Sequence, residues 1–357
     1  MRQKSVHQLL AGYSSHDAIS NESVYFRSVL RINGYRSDIY SEPARVLPDL
    51  RKDCFDVHNL AENVKPDDIV LLHLSIGSIV NDVFAELPCK KVLLYHNITP
   101  SYFFRGINET TAHNLAWGEE QLRGLATLNC KALADSRFNA DEMEVNGWSD
   151  VDVLPLLIDL EKSQQKPDKS VLSQYNDGKT TIMFVGRIAP NKKTDHLIKA
   201  FHCYQKAVDP HSRMIVVGSW AGTERYHAYL VAMSKELGIK NLVFTGSLTE
   251  PQLNAIFKIS SLFLCMSEHE GFCAPLLESM VQQVPVMAYA AAAIPETMQS
   301  AGVLFNSKNM PMIAEMMDVL IKNNELRTAV IKGQNERIVR YKNIDIERLL
   351  LEAIEKV

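Results

Sequence analysis

Six cysteines stand at positions 54, 89, 130, 203, 265 and 273, and none forms a CxxC pair or joins histidines at metal-ligand spacing. That scatter argues against a disulfide framework and fits free thiols in a reducing compartment, and it supplies no metal pattern. No stretch approaches the ~18 consecutive apolar residues of a membrane span, and the apolar run after Met1 is too short for a signal peptide. The expectation is a cytoplasmic protein, with peripheral contact at the inner face of a membrane left open. Net charge is only −4, with both signs plentiful, so no global basic field points to nucleic acid as a partner. The first loop, Gly12-Tyr-Ser-Ser-His-Asp-Ala18, lacks G-x-G-x-x-G, which counts against a dinucleotide-dependent dehydrogenase.

What is present is a regular alternation of strand-like and helix-like segments, the mark of an α/β architecture with parallel sheets. At 357 residues the chain allows two domains, each with its own core. Strands are predicted over 6–10, 68–75, 91–95 and 130–136, with helices over about 20–33 and 138–145. Residues 151–158 read as extended. The polar, lysine-rich run Glu161–Lys169 reads as a linker. A second series follows: strands over 181–185, 214–217, 242–245, 262–266 and 285–289. Helices are predicted over 194–206, 224–237, 251–259, 310–322 and 324–339, and 344–357 is a final amphipathic segment. The domains are drawn as 1–165 and 166–340, with 341–357 a C-terminal helix placed to pack back on the first.

The most informative stretch is Ser267-Glu-His-Glu-Gly-Phe-Cys-Ala-Pro-Leu-Leu-Glu278, between a predicted strand and a predicted helix. Pro275 suits the first helical turn, where its missing N–H costs nothing. The free N–H groups of such a helix start attract anions, phosphate above all. Carboxylates beside a phosphate would repel it, so Glu270 and Glu278 are better suited to accept hydrogen bonds from hydroxyls. Hydroxyls on either side of a phosphate describe a nucleotide sugar. In Phe184-Val-Gly-Arg-Ile-Ala-Pro-Asn-Lys-Lys193, Gly186 lets a ligand approach the backbone at a strand end. Arg187 and Lys192 then supply two cations able to neutralise a diphosphate without a metal.

Gly186-Arg-x-x-x-x-Lys192 followed by Glu270-x7-Glu278 resembles the retaining nucleotide-sugar glycosyltransferases of family 4. Pro285-Val-Met-Ala-Tyr, Ile294-Pro-Glu-Thr-Met298, His96-Asn-Ile-Thr-Pro100 and Asp17-Ala-Ile-Ser extend the resemblance over nearly the whole chain, toward bacterial O-antigen and capsule mannosyltransferases. The resemblance implies the GT-B fold, α/β with two Rossmann-like domains facing each other across a deep cleft. It implies an acceptor domain first and a donor domain second. Arg187 and Lys192 match the pair that binds the donor diphosphate. Glu270 matches the acid on the donor-sugar hydroxyls, with the Gly271 and Phe272 amides beside it. Cys273, Ala274, Pro275 and Leu276 fall where the helix start meets the phosphates, and Glu278 matches the acid on the ribose diol. His96 matches the histidine facing the donor sugar, so His96, Glu270, Arg187 and Lys192 form the implied catalytic set. His16, Asp17 and Asn97 would line the acceptor side. No metal or other cofactor is implied.

The implied reaction moves a hexose, with retention, from a nucleotide diphosphate sugar to a glycan or lipid-linked saccharide. GDP-mannose is the first choice of donor, with UDP-glucose, UDP-galactose and UDP-N-acetylglucosamine as alternatives. A nucleotide-sugar hydrolase or epimerase, or a non-catalytic binding subunit, would share the fold. Each residue has a plainer reading as well. Glu278 could be a first-turn acid favoured by the helix dipole. His96 could be a strand-end histidine satisfied by backbone, and Asp17 a helix cap. Arg187 and Lys192 could form an exposed basic turn. Cys273, which replaces the family's commoner glycine, reads as a small buried filler, and Glu268 and His269 as exposed loop residues. Asp150-Val-Asp152 superficially matches an Asp-x-Asp metal site but reads as structural. Tyr102-Phe103-Phe104-Arg105, aromatic beside basic, is a candidate membrane contact.

Overall fold

Apolar runs such as Ile69–Leu74 and Thr181–Val185, buried almost throughout, are what a parallel sheet covered by helices on both faces requires. In the computed structural model, which describes residues 3–15 and 17–357, they form the central strands of two sheets. The first comprises β1 (Val6–Leu10), β2 (Ile39–Ser41), β3 (Phe55–Asp56), β4 (Ile69–Leu74), β5 (Lys90–Tyr95), β6 (Lys131–Ala134) and β7 (Asp152–Val153). Its spatial order is β3-β2-β1-β4-β5-β6-β7, all parallel. The second comprises β8 (Thr181–Val185), β9 (Arg213–Val217), β10 (Leu242–Gly246), β11 (Leu262–Cys265), β12 (Val286–Tyr289) and β13 (Val303–Phe305). Its order is β10-β9-β8-β11-β12-β13, again all parallel.

In each sheet the chain works outward from one strand, then returns to that strand's other side. The reversal falls between β1 and β4 in the first sheet and between β8 and β11 in the second. At such a switch point the loops leaving neighbouring strands diverge to opposite faces, and a crevice opens beyond the carboxyl ends of the strands. The segments that follow β8 and β11 are Gly186–Lys193 and Ser267–Cys273. Topology therefore puts both halves of the sequence motif at one switch point.

The chain divides into two units. One contains residues 1–105, 109–158 and 345–357; the other contains 106–108 and 159–344. The boundary lies at Ile158/Asp159, earlier than the 165 drawn from sequence. The extended run after Asp150 contributes the edge strand β7, so Asp152 of Asp150-Val-Asp152 belongs to the first sheet. Asp152 is held there by Lys131 at 2.9 Å and Lys356 at 3.3 Å, a structural role. The final helix, Ile346–Glu355, buries Ile346, Leu350 and Ile354 and packs against the helix Ala18–Ile32 of the first unit. Among the described residues no helix is long and apolar enough to cross a membrane.

The helix Ala18–Ile32 shows how local sequence sets an element. Asp17 is its N-cap, with extended backbone, and its Oδ2 accepts from the Ser20 amide at 2.8 Å and the Ser20 hydroxyl at 2.7 Å. Replacing Asp17 with alanine is expected to cost about 1 kcal/mol, read as a lowered urea midpoint; unchanged stability would show the cap to be dispensable. Asn33 closes the helix, and Gly34 then takes the left-handed conformation (φ +84°) that lets the chain turn toward β2.

Candidate active site

Strands β8 and β9 approach so closely at their carboxyl ends that side chains are excluded. The Gly186 amide donates to Val217 O at 2.9 Å, and a Cβ on Gly218 would lie 2.7 Å from the Gly186 carbonyl carbon. This contact turns the chain into the loop carrying Arg187 and Lys192. Arg187 is exposed, and its Nη2 donates to Ala221 O at 3.0 Å. Lys192 ends a short 3-10 turn, Pro190–Lys192, and is ion-paired with Glu270. Burial opposes its positive charge, but the Glu270 carboxylate, helped by Cys273, raises its pKa above the usual value. The two charged residues that the sequence pattern singled out are therefore in contact, although 78 positions apart.

The loop 267–273 is fastened from three sides. Asn191 holds it twice: its carbonyl accepts from the Glu268 amide at 2.9 Å, and its Nδ2 donates to His269 O at 3.1 Å. From the loop after β12, the Ala293 amide donates to Glu270 O at 3.2 Å, and Thr297 Oγ1 donates to Phe272 O. From beyond β13, Lys308 Nζ reaches Met266 O at 3.2 Å and Glu268 Oε1 at 2.6 Å, while lying 4.3 Å from the Tyr289 ring centre. Asn191, Thr297 and Lys308 were not in the sequence-derived set. Lys308 carries no motif; Asn191 sat inside one, and its buried amide is what joins the two loops. Glu268 and His269 are correspondingly not exposed loop residues: Glu268 is half-buried and paired, and His269 is buried.

Cys273 has left-handed backbone (φ +71°, ψ 60°) and directly precedes the helix Ala274–Val281. That conformation favours glycine, which accounts for glycine being the commoner residue in the resembling family. The Cys273 side chain is buried, and burial together with a hydrogen bond to Cys265 raises its thiol well above the usual range. It is therefore a poor nucleophile. Ala274 and Pro275 are partly exposed at the helix start, whereas Leu276 is fully buried and anchors the helix from beneath. Gly271 is half-buried and Phe272 packs 6.2 Å from Tyr341.

Glu278, one turn into the helix, is partly buried, and among the described residues its carboxylate has no hydrogen-bond partner. Burial, and the like charge of Glu250, push its pKa up to about 7, with Lys162 opposing. A carboxylate in this position gains by accepting from a ligand's hydroxyls, which favour the ionised form. Affinity for a ligand whose hydroxyls donate to Glu278 is thus expected to tighten as pH rises through about 7, with proton release on binding. Titration calorimetry in buffers of different ionisation enthalpy checks this; pH-independent affinity would remove Glu278 from the site.

In the first unit His96 follows β5 and its side chain is 1% exposed. Both ring nitrogens face groups of that unit: Nε2 lies 2.9 Å from His73 Nδ1, and Nδ1 lies 3.5 Å from Asp135 Oδ2. Asn97 adopts φ +78° and spends its amide on Asn139 Oδ1 at 2.9 Å and Glu142 Oε2 at 3.2 Å. Asp17 is the helix cap already described, and His16 lies outside the described residues. Among the described residues two groups have the composition of a metal site, Glu22/His73/His96 and Cys265/Glu270/Cys273, their ligand atoms within 4.8 Å of one another. In the second the Glu270 carboxylate is already engaged by the Lys192 ammonium.

Residues 165–337, just under half of the chain, match the family model for glycosyl transferases group 1. Among curated proteins, the serotype-specific mannosyltransferase WbdA of Escherichia coli is 25% identical over 150 residues, 42% of this chain and 18% of WbdA. The GDP-mannose-dependent alpha-mannosyltransferase of Mycobacterium tuberculosis is 26% identical over 200 residues, 55% of this chain and 48% of that protein. The chain thus spans less than half the length of these curated relatives. Among solved structures, Anabaena Alr3699/HepE in complex with UDP-glucose superposes with a TM-score of 0.73 at 16% identity, covering 99% of this chain and 100% of HepE. Residues 165–337 thus match the glycosyl transferases group 1 model, the chain as a whole has the fold of GT-B glycosyltransferases, and it resembles bacterial mannosyltransferases.

Proposed function

We propose that the chain is a retaining glycosyltransferase that moves a hexose from a nucleotide diphosphate sugar to a glycan or lipid-linked saccharide. The observation that carries this reading is the meeting, at the β8/β11 switch point, of the Lys192–Glu270 pair with a helix start and the unpartnered Glu278. Arg187, Lys192 and the helix start take the diphosphate and stabilise charge as it develops on the leaving group. Glu270 accepts from donor-sugar hydroxyls and Glu278 from the ribose diol. No enzyme nucleophile is assigned: attack occurs on the face the diphosphate leaves, with a donor phosphate oxygen taking the acceptor proton. The reading includes no metal.

GDP-mannose is the proposed donor, supported by the names of the M. tuberculosis relative and of WbdA. UDP-glucose is the second reading, favoured by its presence in the HepE complex. A lipid-linked acceptor places the protein at the inner face of a membrane. In support, Tyr102 is 61% exposed and stacks on Phe103 at 4.5 Å, next to exposed Arg105, although Phe104 is buried.

A panel of GDP- and UDP-sugars, scored by thermal shift and then by product analysis, tests the reading. Donor at ~100 times its Kd should add about 2.7 kcal/mol of stability. GDP-mannose stabilising the protein, and sugar appearing on an acceptor with its anomeric configuration kept, is the expected result. Free sugar or an epimer without acceptor would replace transfer by hydrolysis or epimerisation. Binding without any turnover would leave a nucleotide-sugar-binding subunit.

A further inference from the structure

Just past the Ile158/Asp159 boundary, wholly within the second unit, the chain makes a short 3-10 turn, Lys162–Gln164, against the helix Glu250–Ile259. So short a segment has no ladder of its own to take its carbonyls, and a carbonyl shut off from water without a partner is costly. Two side-chain amides meet that need. Asn254, 2% exposed in the middle of the helix Glu250–Ile259, donates from Nδ2 to Lys162 O at 3.1 Å and to Gln165 O at 3.1 Å. Gln282, at the end of the helix Ala274–Val281, donates from Nε2 to Ser163 O and to Asn254 Oδ1 at 2.9 Å. Each amide nitrogen has two hydrogens, and all four are used. The orientation is fixed as well, because a flipped Asn254 would turn an oxygen toward two carbonyls. Asparagine suits a helix interior poorly, since its side chain competes for nearby backbone; here that side chain is fully engaged by a different segment. Beyond the turn, the Asp168 amide donates to Pro251 O at 2.8 Å and ties the segment to the same helix.

Gln282 stands four positions after Glu278, and residues so spaced share one face of a helix. The strap formed by residues 162–165 is therefore held to the face of Ala274–Val281 that carries Glu278. The charged groups acting on the Glu278 carboxylate come from the same two neighbours, Lys162 from the strap and Glu250 from the first turn of Glu250–Ile259.

We propose that Asn254 and Gln282 are positioning residues that clasp the 162–165 strap beside Glu278, where it bounds the hydroxyl-bearing part of the ligand that Glu278 receives. This rests on the nucleotide-sugar reading of the site, in which that part is the ribose. The helix start then limits the ligand at one end and the strap at the other. Neither amide touches the ligand, so the loss of either acts only through the strap and Glu278.

The test measures the affinity of the full chain for GDP and for UDP by calorimetry, beside hydrogen exchange over residues 160–166. Gln282→Met keeps the length of the side chain and removes its donors. It should raise the Kd of the nucleotide that binds about tenfold, the scale of losing hydrogen bonds to a partly buried carbonyl. Exchange over 160–166 should quicken while β8 and β11 stay protected. Glu278→Gln should also weaken binding, and the double substitution should lie within about twofold of Glu278→Gln alone, because both changes remove one contact. Should Gln282→Met fail to fold, Gln282→Asn, one methylene short of Ser163 O, makes the same comparison. Unchanged affinity, unchanged exchange in the strap, or losses that multiply in the double variant would each overturn the inference. Wild-type protein that binds neither GDP nor UDP would sink the proposed function and the clasp with it. Wild-type binding with an indifferent Gln282→Met would sink the clasp alone.

Discussion

Lys192→Ala is expected to lower turnover by roughly 100-fold or more, the scale of removing one group that stabilises transition-state charge. Lys192 contacts Glu270 directly, and the carboxylate is 7% exposed while the lysine retains 21%. Removing the ammonium therefore has two effects that must be separated. One is on the fold: a largely buried carboxylate left unpaired costs toward the low end of about 3–5 kcal/mol, since Lys192 is not fully enclosed. The other is on the reaction, through loss of the cation proposed to face a donor diphosphate. Glu270→Ala should lose comparable activity. The double substitution should be far less than additive, because either single change breaks the same pair. Single-turnover rates with saturating donor separate the effects, because a purely structural pair would leave the rate per folded molecule near normal. Such a result in either variant would end the assignment of both residues to the chemistry.

Gly218→Ala is expected to lower the melting temperature of the second unit and to disable donor binding, though residue 218 carries no functional group. Its φ of +145° lies outside the range side chains adopt readily, and the new Cβ would collide with the Gly186 backbone. Strain of this kind costs about 1–3 kcal/mol before the collision is counted. A loss of about 3 kcal/mol corresponds to about 6–12 °C for a unit of this size. The collision can be relieved only by parting β8 from β9, which carries Arg187 and Lys192 out of place. Differential scanning calorimetry with and without donor reads both effects. A variant that melts normally and still binds would show that the close approach does not position the loop.

The two predictions also show what was legible from residues alone. The central strands of both sheets were readable because parallel strands buried on both faces are continuous apolar runs, and Thr181–Val185 fell within its observed bounds. The motif carboxylates and cations were readable because a short loop at a strand end leaves few places for them to go. The helix Glu109–Leu125 was not anticipated: it carries a glycine at 118 and a mixed face. Its reason for being there is tertiary, since Gly118 packs against the backbone of Gly77, whose amide donates to Asn114 O at 3.0 Å. The short strands β2, β3 and β13, of two or three residues each, are set by their neighbours in the sheet and offer no period to detect. Thr297 and Lys308 acquire their roles only when three separate loops converge. The contacts of His73 with Gln8 and His96 likewise need atoms 65 and 23 positions apart brought within hydrogen-bond reach.

The assignment of residues 345–357 to the first unit has a consequence for how the protein is made. Domains ordinarily fold in turn as they leave the ribosome, the N-terminal one first, at about 5–20 residues per second. Here the helix that covers Ala18–Ile32 is synthesised only after the whole second unit, so the earlier unit waits on the order of 10–40 s for its last element at those rates. During that interval the surface later covered by Leu350 and Ile354 stands open. The nascent first unit is therefore the stage most exposed to chaperones and proteases, and the second unit, though later in sequence, is the first able to reach its finished state.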